Sequence, residues 1–387
     1  MDLSLVIPTH NRHENVLLLL DSIREQDLGA TVIEVIVVGN LKDQALEKKL
    51  KAHQVPTSVY FTGKIGVNAA RNLGVQKAQS KNIYFLDDDV LLKNPKHLQH
   101  LLTLSKEHKS MAAIGGSYLL SKKAGLVDEI YHQISTAWMN KKSTYLLGGN
   151  TLYHLESIHI PFHFNEGIIF GGSETELNLR LYSSGHEFLF LDSLSIEHDT
   201  HLNAFSLAKK ALRQGMGRSF HEDIVPKSFW SVDTNSSQDI LSRYQHSKIL
   251  YYSALCHLAL YEFFFHVGYR HGKKENNGPL SLKVVFISML ETFFQVNSDK
   301  ILYIPNPDAT PFHQKAFPSL KFREFHHWTK ANVWWKIPNF IFWKAVPPLV
   351  TVFVCALWTL IPFNTIGLRV PYDRAISRFE RLFKKEV

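Results

Sequence analysis

The chain has 387 residues, 45% of them hydrophobic and 20% charged, which excludes a disordered or fibrous protein and fits a large globular domain plus an extension. The formal charge of +8 is uneven: residues 1–200 carry 19 basic and 22 acidic side chains, net −3, and residues 201–387 carry 24 and 13, net +11. Only two cysteines occur, Cys256 and Cys355, too few for a disulfide framework or a thiolate metal site, so a reducing cytoplasm is expected.

In chain order, Leu3 to Pro8 reads as a first strand, followed by the polar turn Thr9-His10-Asn11-Arg12 and a helix over residues 14–26. Val32 to Val38 is a second strand, residues 42–53 a charged helix, Val59 to Thr62 a short third strand and Val67 to Ala78 a helix. The apolar run Ile83-Tyr84-Phe85-Leu86 is a buried strand that ends in Asp87, Asp88 and Asp89. Strands alternating with helices predict a mostly parallel sheet covered on both faces. Ligands of such sheets bind beyond the carboxyl ends of the strands. The turn at 8–12, Gly39-Asn40 and the triple acid all fall on that edge. A second block, Ile114 to His198, contains Gly148-Gly149-Asn150, Gly171-Gly172-Ser173-Glu174-Thr175-Glu176 and a strand near Glu187 to Ile196. After His201 the sequence turns helical, aromatic and basic, with a domain boundary between about 200 and 240. The amino terminus lacks a positive stretch before an apolar core, so it does not read as a signal peptide.

Alternation along a strand points Asp87 and Asp89 the same way. Two like charges at close range raise each other's pKa unless something positive sits between them. A divalent cation does so, and hard oxygen ligands suit Mn2+ or Mg2+. Such a cation at a strand end suggests a bound phosphate.

Three segments then resemble family 2 glycosyltransferases of GT-A fold. They are Ser4-Leu5-Val6-Ile7-Pro8-Thr9-His10-Asn11-Arg12, then Ala70-Arg71-Asn72-Leu73-Gly74 with Ile83 to Asp89, and Gly171 to Leu177 followed by Arg180-Leu181 and Gly185. They occur in the family's order across residues 3–200. The resemblance implies a Rossmann-like α/β domain over 1–220 that transfers a sugar from a nucleotide sugar, with a UDP-sugar as first candidate. It implies that Pro8, Thr9 and Arg12 line the nucleotide site, with Arg71 near the ribose or diphosphate. Asp87 and Asp88 belong to the donor side by the same resemblance, and Asp87, Asp89 and His198 to the metal. Glu174 takes the place of the catalytic carboxylate, and Gly149, Asn150 and Gly172 lie on the acceptor side. Two departures stand out. Where the family shows acids after its second strand this chain has Gly39-Asn40, so Asn40 would offer an amide to the base edge. Where it shows Glu-Asp in the acceptor motif, this chain has Ser173-Glu174.

Other readings compete residue by residue. Ser173-x-x-Glu176 is also a capping box, and Glu174 would suit the first turn of that helix on dipole grounds alone. Gly148-Gly149-Asn150 also reads as a turn. Arg71 also reads as a helix-face charge, and His198 is one of 21 histidines.

Residues 221–387 read as a helical, membrane-associating extension. Residues 345–368 hold no formal charge and are long enough for a bilayer's roughly 30 Å core. Trp334, Trp335 and Trp343 precede them as an interfacial belt would. The stretch Arg374 to Lys385 sets Ile376, Phe379, Leu382 and Phe383 against a basic face, as in a helix lying on an anionic membrane. Leu250 to Val267 is a poor second span because it contains His257, Glu262 and His266. No nucleic-acid motif is present. The reading is a metal-dependent, inverting glycosyltransferase at the cytoplasmic face of the membrane, acting on a glycan or lipid-linked acceptor in cell-surface polysaccharide synthesis. The alternative is a non-catalytic sugar-nucleotide-binding subunit of an assembly complex.

Overall fold

The computed structural model describes residues 1–122, 124–136, 146–168, 172–221, 237–275 and 280–293. The expected apolar segment 345–368, its aromatic belt and the amphipathic stretch 374–385 lie outside the described residues, as do Gly171 and Cys355.

The first half contains β1 (Leu3–Thr9), α1 (His13–Arg24), β2 (Ile33–Gly39), α2 (Gln44–Lys51), β3 (Thr57–Phe61), α3 (Val67–Lys77), β4 (Asn82–Leu86), β5 (Val90–Leu91) and α4 (His97–Glu107). There follow β6 (Ala113–Gly115), β7 (Tyr118–Leu120), α5 (Leu126–Thr136), β8 (Asn150–His154), α6 (Ser173–Ser183), β9 (Phe188–Phe190) and β10 (Ile196–His198). Four helices complete the described chain: α7 (Ala204–His221), α8 (Ser237–Ser242), α9 (Lys248–Lys274) and α10 (Leu282–Phe293).

A seven-stranded sheet runs in the order β3-β2-β1-β4-β8-β6-β9. The first four strands and the β6–β9 pair are parallel, and β8 is antiparallel to both its neighbours. Alternating side chains feed two apolar layers. Leu5, Ile7, Val35, Val37, Tyr84 and Leu86 pack with Leu19, Leu20, Leu98 and Leu101 of α1 and α4 on one face. Val6, Ile83, Phe85 and Tyr153 pack with Leu177 and Leu181 of α6 on the other. Ile36 and Val38 meet Ala70 of α3 on that second face. The sheet is therefore α/β, mostly parallel and covered on both faces, as the pattern of elements predicts. Gly74 is needed for this packing, since a Cβ there would lie 2.3 Å from the Val6 side chain.

The single strand expected near 187–196 is two. A 3-10 turn over Asp192–Leu194 separates them. β9 joins the large sheet and β10 joins a small one, ordered β5-β10-β7. Gly116 permits the crossing, because a Cβ there would lie 2.4 Å from the carbonyl of Leu194.

Among the described residues, 1–121 and 146–200 form one compact unit, and 122–136 with the residues from 201 onward form another. The division drawn at residue 220 groups α7 with the sheet, whereas in the structure α7 packs with α5 and α9. Leu207 and Ala211 share a core with Val127, Ile130, Leu258 and Tyr261. Helices α7 and α9 meet backbone to backbone: a Cβ on Gly215 would lie 1.9 Å from the Phe265 carbonyl oxygen, and one on Gly268 the same distance from that of Leu212. Among the described residues no helix is long and apolar enough to cross a membrane, and that includes α9, which contains Leu250 to Val267.

Candidate active site

The carboxyl ends of β1 and β4 lie side by side because the two strands pair directly. The chain leaving β1 turns through Asn11 at φ 56°, a left-handed conformation that asparagine tolerates. That turn brings Arg12 back over the triple acid. Its Nη1 donates to Asp88 Oδ1 at 3.1 Å and to Asp89 Oδ2 at 2.6 Å. Thr9 donates its hydroxyl to Asp88 Oδ2 at 2.7 Å. Asp88 is buried, and burial first, then the neighbouring Asp89 charge, raises its carboxyl pKa to about 6.

Asp89 immediately precedes β5, and His198 closes β10. These strands pair antiparallel, and Asp199 N–H donates to the Asp89 carbonyl at 2.9 Å. His198 Nε2 then lies 3.1 Å from Asp89 Oδ1. Asp87, Asp89 and His198 each offer one ligand atom, all within 4.8 Å of one another. Two carboxylates suit a hard divalent cation, and the imidazole suits Mn2+ better than Mg2+. The residues present therefore fit the expected metal.

Arg71 is buried in α3 and lies between two acids. Its Nη2 is 3.4 Å from Asp87 Oδ1 and its Nη1 is 3.7 Å from Glu174 Oε2. Phe164 supports it from one side, with the guanidinium carbon 5.2 Å from the ring centroid. Glu174 stands in the first turn of α6, where Gly172 occupies the N-cap position at φ 83°. That backbone conformation favours glycine.

All three expected metal ligands, with Arg12, Arg71, Asp88 and Glu174, thus converge on one sheet edge. Pro8 and Thr9 are at that edge but buried, and Thr9 acts through Asp88. Asn40 closes β2 at the expected place but is also buried. Among the described residues its Oδ1 has no hydrogen-bond partner, and its carbonyl accepts from Thr62 Oγ1 at 3.0 Å.

Two expectations need correction. Asn150 is not placed to meet an acceptor. It is fully buried, its Oδ1 accepting from Tyr84 and its Nδ2 donating to the carbonyls of Ser117 and Leu194, both at 3.0 Å. Gly149 lies against Asp87. A Cβ there would lie 2.1 Å from the Asp87 carboxyl carbon, and one on Gly148 would lie 2.5 Å from Arg71 Nη2. Gly172 rather than Ser173 takes the N-cap position of α6, and Glu176 pairs with Arg180 at 3.0 Å.

Gly149→Ala is expected to push the Asp87 carboxylate aside and weaken Mn2+ binding roughly 10–100-fold, the usual loss when a ligand's support is disturbed. A Mn2+ titration checks this, and unchanged affinity would show that the close approach does not matter.

Sequence reasoning missed the groups that hold these residues. Asn72 clasps the backbone of Phe164, donating to its carbonyl at 2.9 Å and accepting from its N–H at 2.8 Å. Asn68 donates to the carbonyl of Asn165 at 2.6 Å. Asn72 was visible as the third residue of Ala70-Arg71-Asn72, but its partner lies 92 positions away. Tyr118 gave no signal: its hydroxyl donates to Asp87 Oδ2 at 2.8 Å. Burial first, then the Asp87 charge, holds that phenol well above its ordinary pKa, so it remains a donor.

Residues 4–160 match the family model for glycosyl transferase family 2. This part of the chain belongs to that family. The poly(ribitol-phosphate) beta-N-acetylglucosaminyltransferase TarS of Staphylococcus aureus is 30% identical over 114 residues, 28% of this chain and 20% of that protein. An uncharacterized glycosyltransferase of Haemophilus influenzae is 32% identical over 126 residues, 32% of this chain and 44% of that one. The chain thus spans less than half the length of the curated relatives it matches. The mannosyltransferase PcManGT of Pyrobaculum calidifontis, solved in complex with GDP-Man and Mn2+, superposes with a TM-score of 0.43 at 15% identity, over 93% of this chain and 87% of that one. A structure of S. aureus TarS 1–349 gives 0.42 at 14% identity, over 76% and 89%. Asp87, Asp89 and Arg71 fall within the matched residues, and Glu174 and His198 lie beyond them.

Proposed function

We propose that this protein transfers a sugar from a nucleotide-sugar donor, with a UDP-sugar first among candidates, to a hydroxyl of a glycan or lipid-linked acceptor, with inversion at the anomeric carbon. The observation that carries the proposal is Arg71, whose guanidinium lies within 4 Å of both a metal-side carboxylate, Asp87, and the candidate base, Glu174. The diphosphate end of a donor and the attacking hydroxyl would then meet around one buried cation.

A bound divalent cation, held by Asp87, Asp89 and His198, would neutralise the diphosphate and ease its departure. Glu174 takes the proton of the acceptor hydroxyl while that oxygen bonds to the anomeric carbon from the face opposite the diphosphate. The anomeric carbon–oxygen bond breaks, and its electron pair leaves with the nucleoside diphosphate. One base and one displacement give inversion. Arg71 sets a positive charge between Glu174 and Asp87. Asp88, held by Thr9 and Arg12, braces the turn after β1 against the metal loop.

For the acceptor, support comes from sequence: TarS, the relative above, is named for transfer to a poly(ribitol-phosphate) polymer. The net +11 of residues 201–387 suits an anionic polymer, lipid headgroup or membrane surface. We place the protein at the cytoplasmic face of the membrane and assign catalysis to the sheet domain.

Purified protein and native membranes incubated with UDP-, GDP- and dTDP-sugars plus Mn2+ should release nucleoside diphosphate from one donor. Donor binding with no release in either preparation would contradict the transferase reading and leave a sugar-nucleotide-binding subunit.

A further inference from the structure

We propose that Tyr118 is the positioning residue of the metal site, one side chain that orients two of its three ligands. The inference rests on the cation site argued above. The Tyr118 hydroxyl donates to Asp87 Oδ2 at 2.8 Å, and its ring stacks on the His198 imidazole with centroids 4.3 Å apart and planes 22° from parallel. The hydroxyl fixes the rotation of the Asp87 carboxylate, whose other oxygen faces Arg71 at 3.4 Å. The ring fixes the imidazole plane, so that Nε2 is directed at Asp89 Oδ1 at 3.1 Å. Asp87 and His198 come from different sheets and are 111 positions apart in sequence, so neither strand alone sets their mutual geometry.

Tyr118 is itself held on three sides. It stands opposite Ile196 in the parallel β7–β10 pair. The preceding carbonyl, that of Ser117, accepts from Ile196 N–H at 3.1 Å and from Asn150 Nδ2 at 3.0 Å. Gly116 passes against the Leu194 carbonyl at a distance that excludes any side chain. The buried Asn150 therefore reaches the metal site through Tyr118. Groups that hydrogen-bond or pack against ligands set the ligands' orientation, and their loss typically weakens metal binding 10–100-fold.

The test is a titration of the full-length protein with MnCl2 alone, followed by electron paramagnetic resonance. Tyr118→Phe keeps the ring on His198 and removes the hydroxyl. It should raise the Mn2+ Kd by roughly 10-fold or more, retain the nitrogen modulation of a bound imidazole in the pulsed spectrum, and leave the unfolding temperature in EDTA unchanged. Tyr118→Leu removes the stack as well and should also weaken the nitrogen modulation. Wild-type affinity in Tyr118→Phe, with wild-type binding intact, overturns the role of Tyr118 alone. A Leu variant with undiminished modulation overturns the stacking half of it. No Mn2+ binding by the wild-type protein overturns the cation site and this inference together.

Discussion

Asp89→Ala is expected to reduce nucleoside diphosphate release by roughly a thousandfold. Asp89 is the hub of the metal loop: one oxygen faces His198 at 3.1 Å and the other accepts from Arg12 at 2.6 Å. Its removal leaves Asp87 and His198 without the ligand between them and turns half-exposed Arg12 toward Asp88 alone. Metal stabilisation of a departing oxyanion supplies several kcal/mol, and about 4 kcal/mol corresponds to three powers of ten in rate. Because Thr9 still holds Asp88 and β1 still pairs with β4, the fold should survive. Steady-state release assays with a Mn2+ titration separate the two effects. Release at near wild-type rate would remove Asp89 from the metal site.

The second large effect is expected from Glu174→Gln. The substitution keeps the size and hydrogen-bonding reach of the side chain but cannot accept the acceptor proton. Loss of a positioned general base costs typically 10²–10⁴ in rate. The fall should appear in kcat, with donor and Mn2+ binding unchanged, since Glu174 touches Arg71 rather than the metal cluster. A fall in Mn2+ affinity equal to the fall in rate would instead make Glu174 a structural counter-charge for Arg71.

Much of the first unit was legible because its signals are local. The apolar runs before Pro8, Gly39 and Asp87 are parallel strands, and the polar residues after them sit on one edge, as the βα pattern requires. His198 was legible only through order along the chain, yet the β5–β10 pairing brings it to Asp89. What failed depended mostly on contacts made far along the chain. Asn150 is polar and follows two glycines, so it resembles a site residue, but Tyr84, Ser117 and Leu194 consume its amide. Ser173 matches a cap by spacing, yet the left-handed turn at Gly172 starts the helix one residue earlier than that pattern requires. The place of α5 was equally hidden, because its apolar face is completed by α7 and α9, more than 70 residues downstream.

The most direct measurement is the anomalous diffraction of Mn2+ in crystals of this protein grown with MnCl2 and a nucleoside diphosphate. The account predicts one strong peak bounded by Asp87, Asp89 and His198, with the diphosphate on the side of Arg71 and Glu174. A peak at other residues, or a diphosphate bound with no metal beside those three, would contradict it.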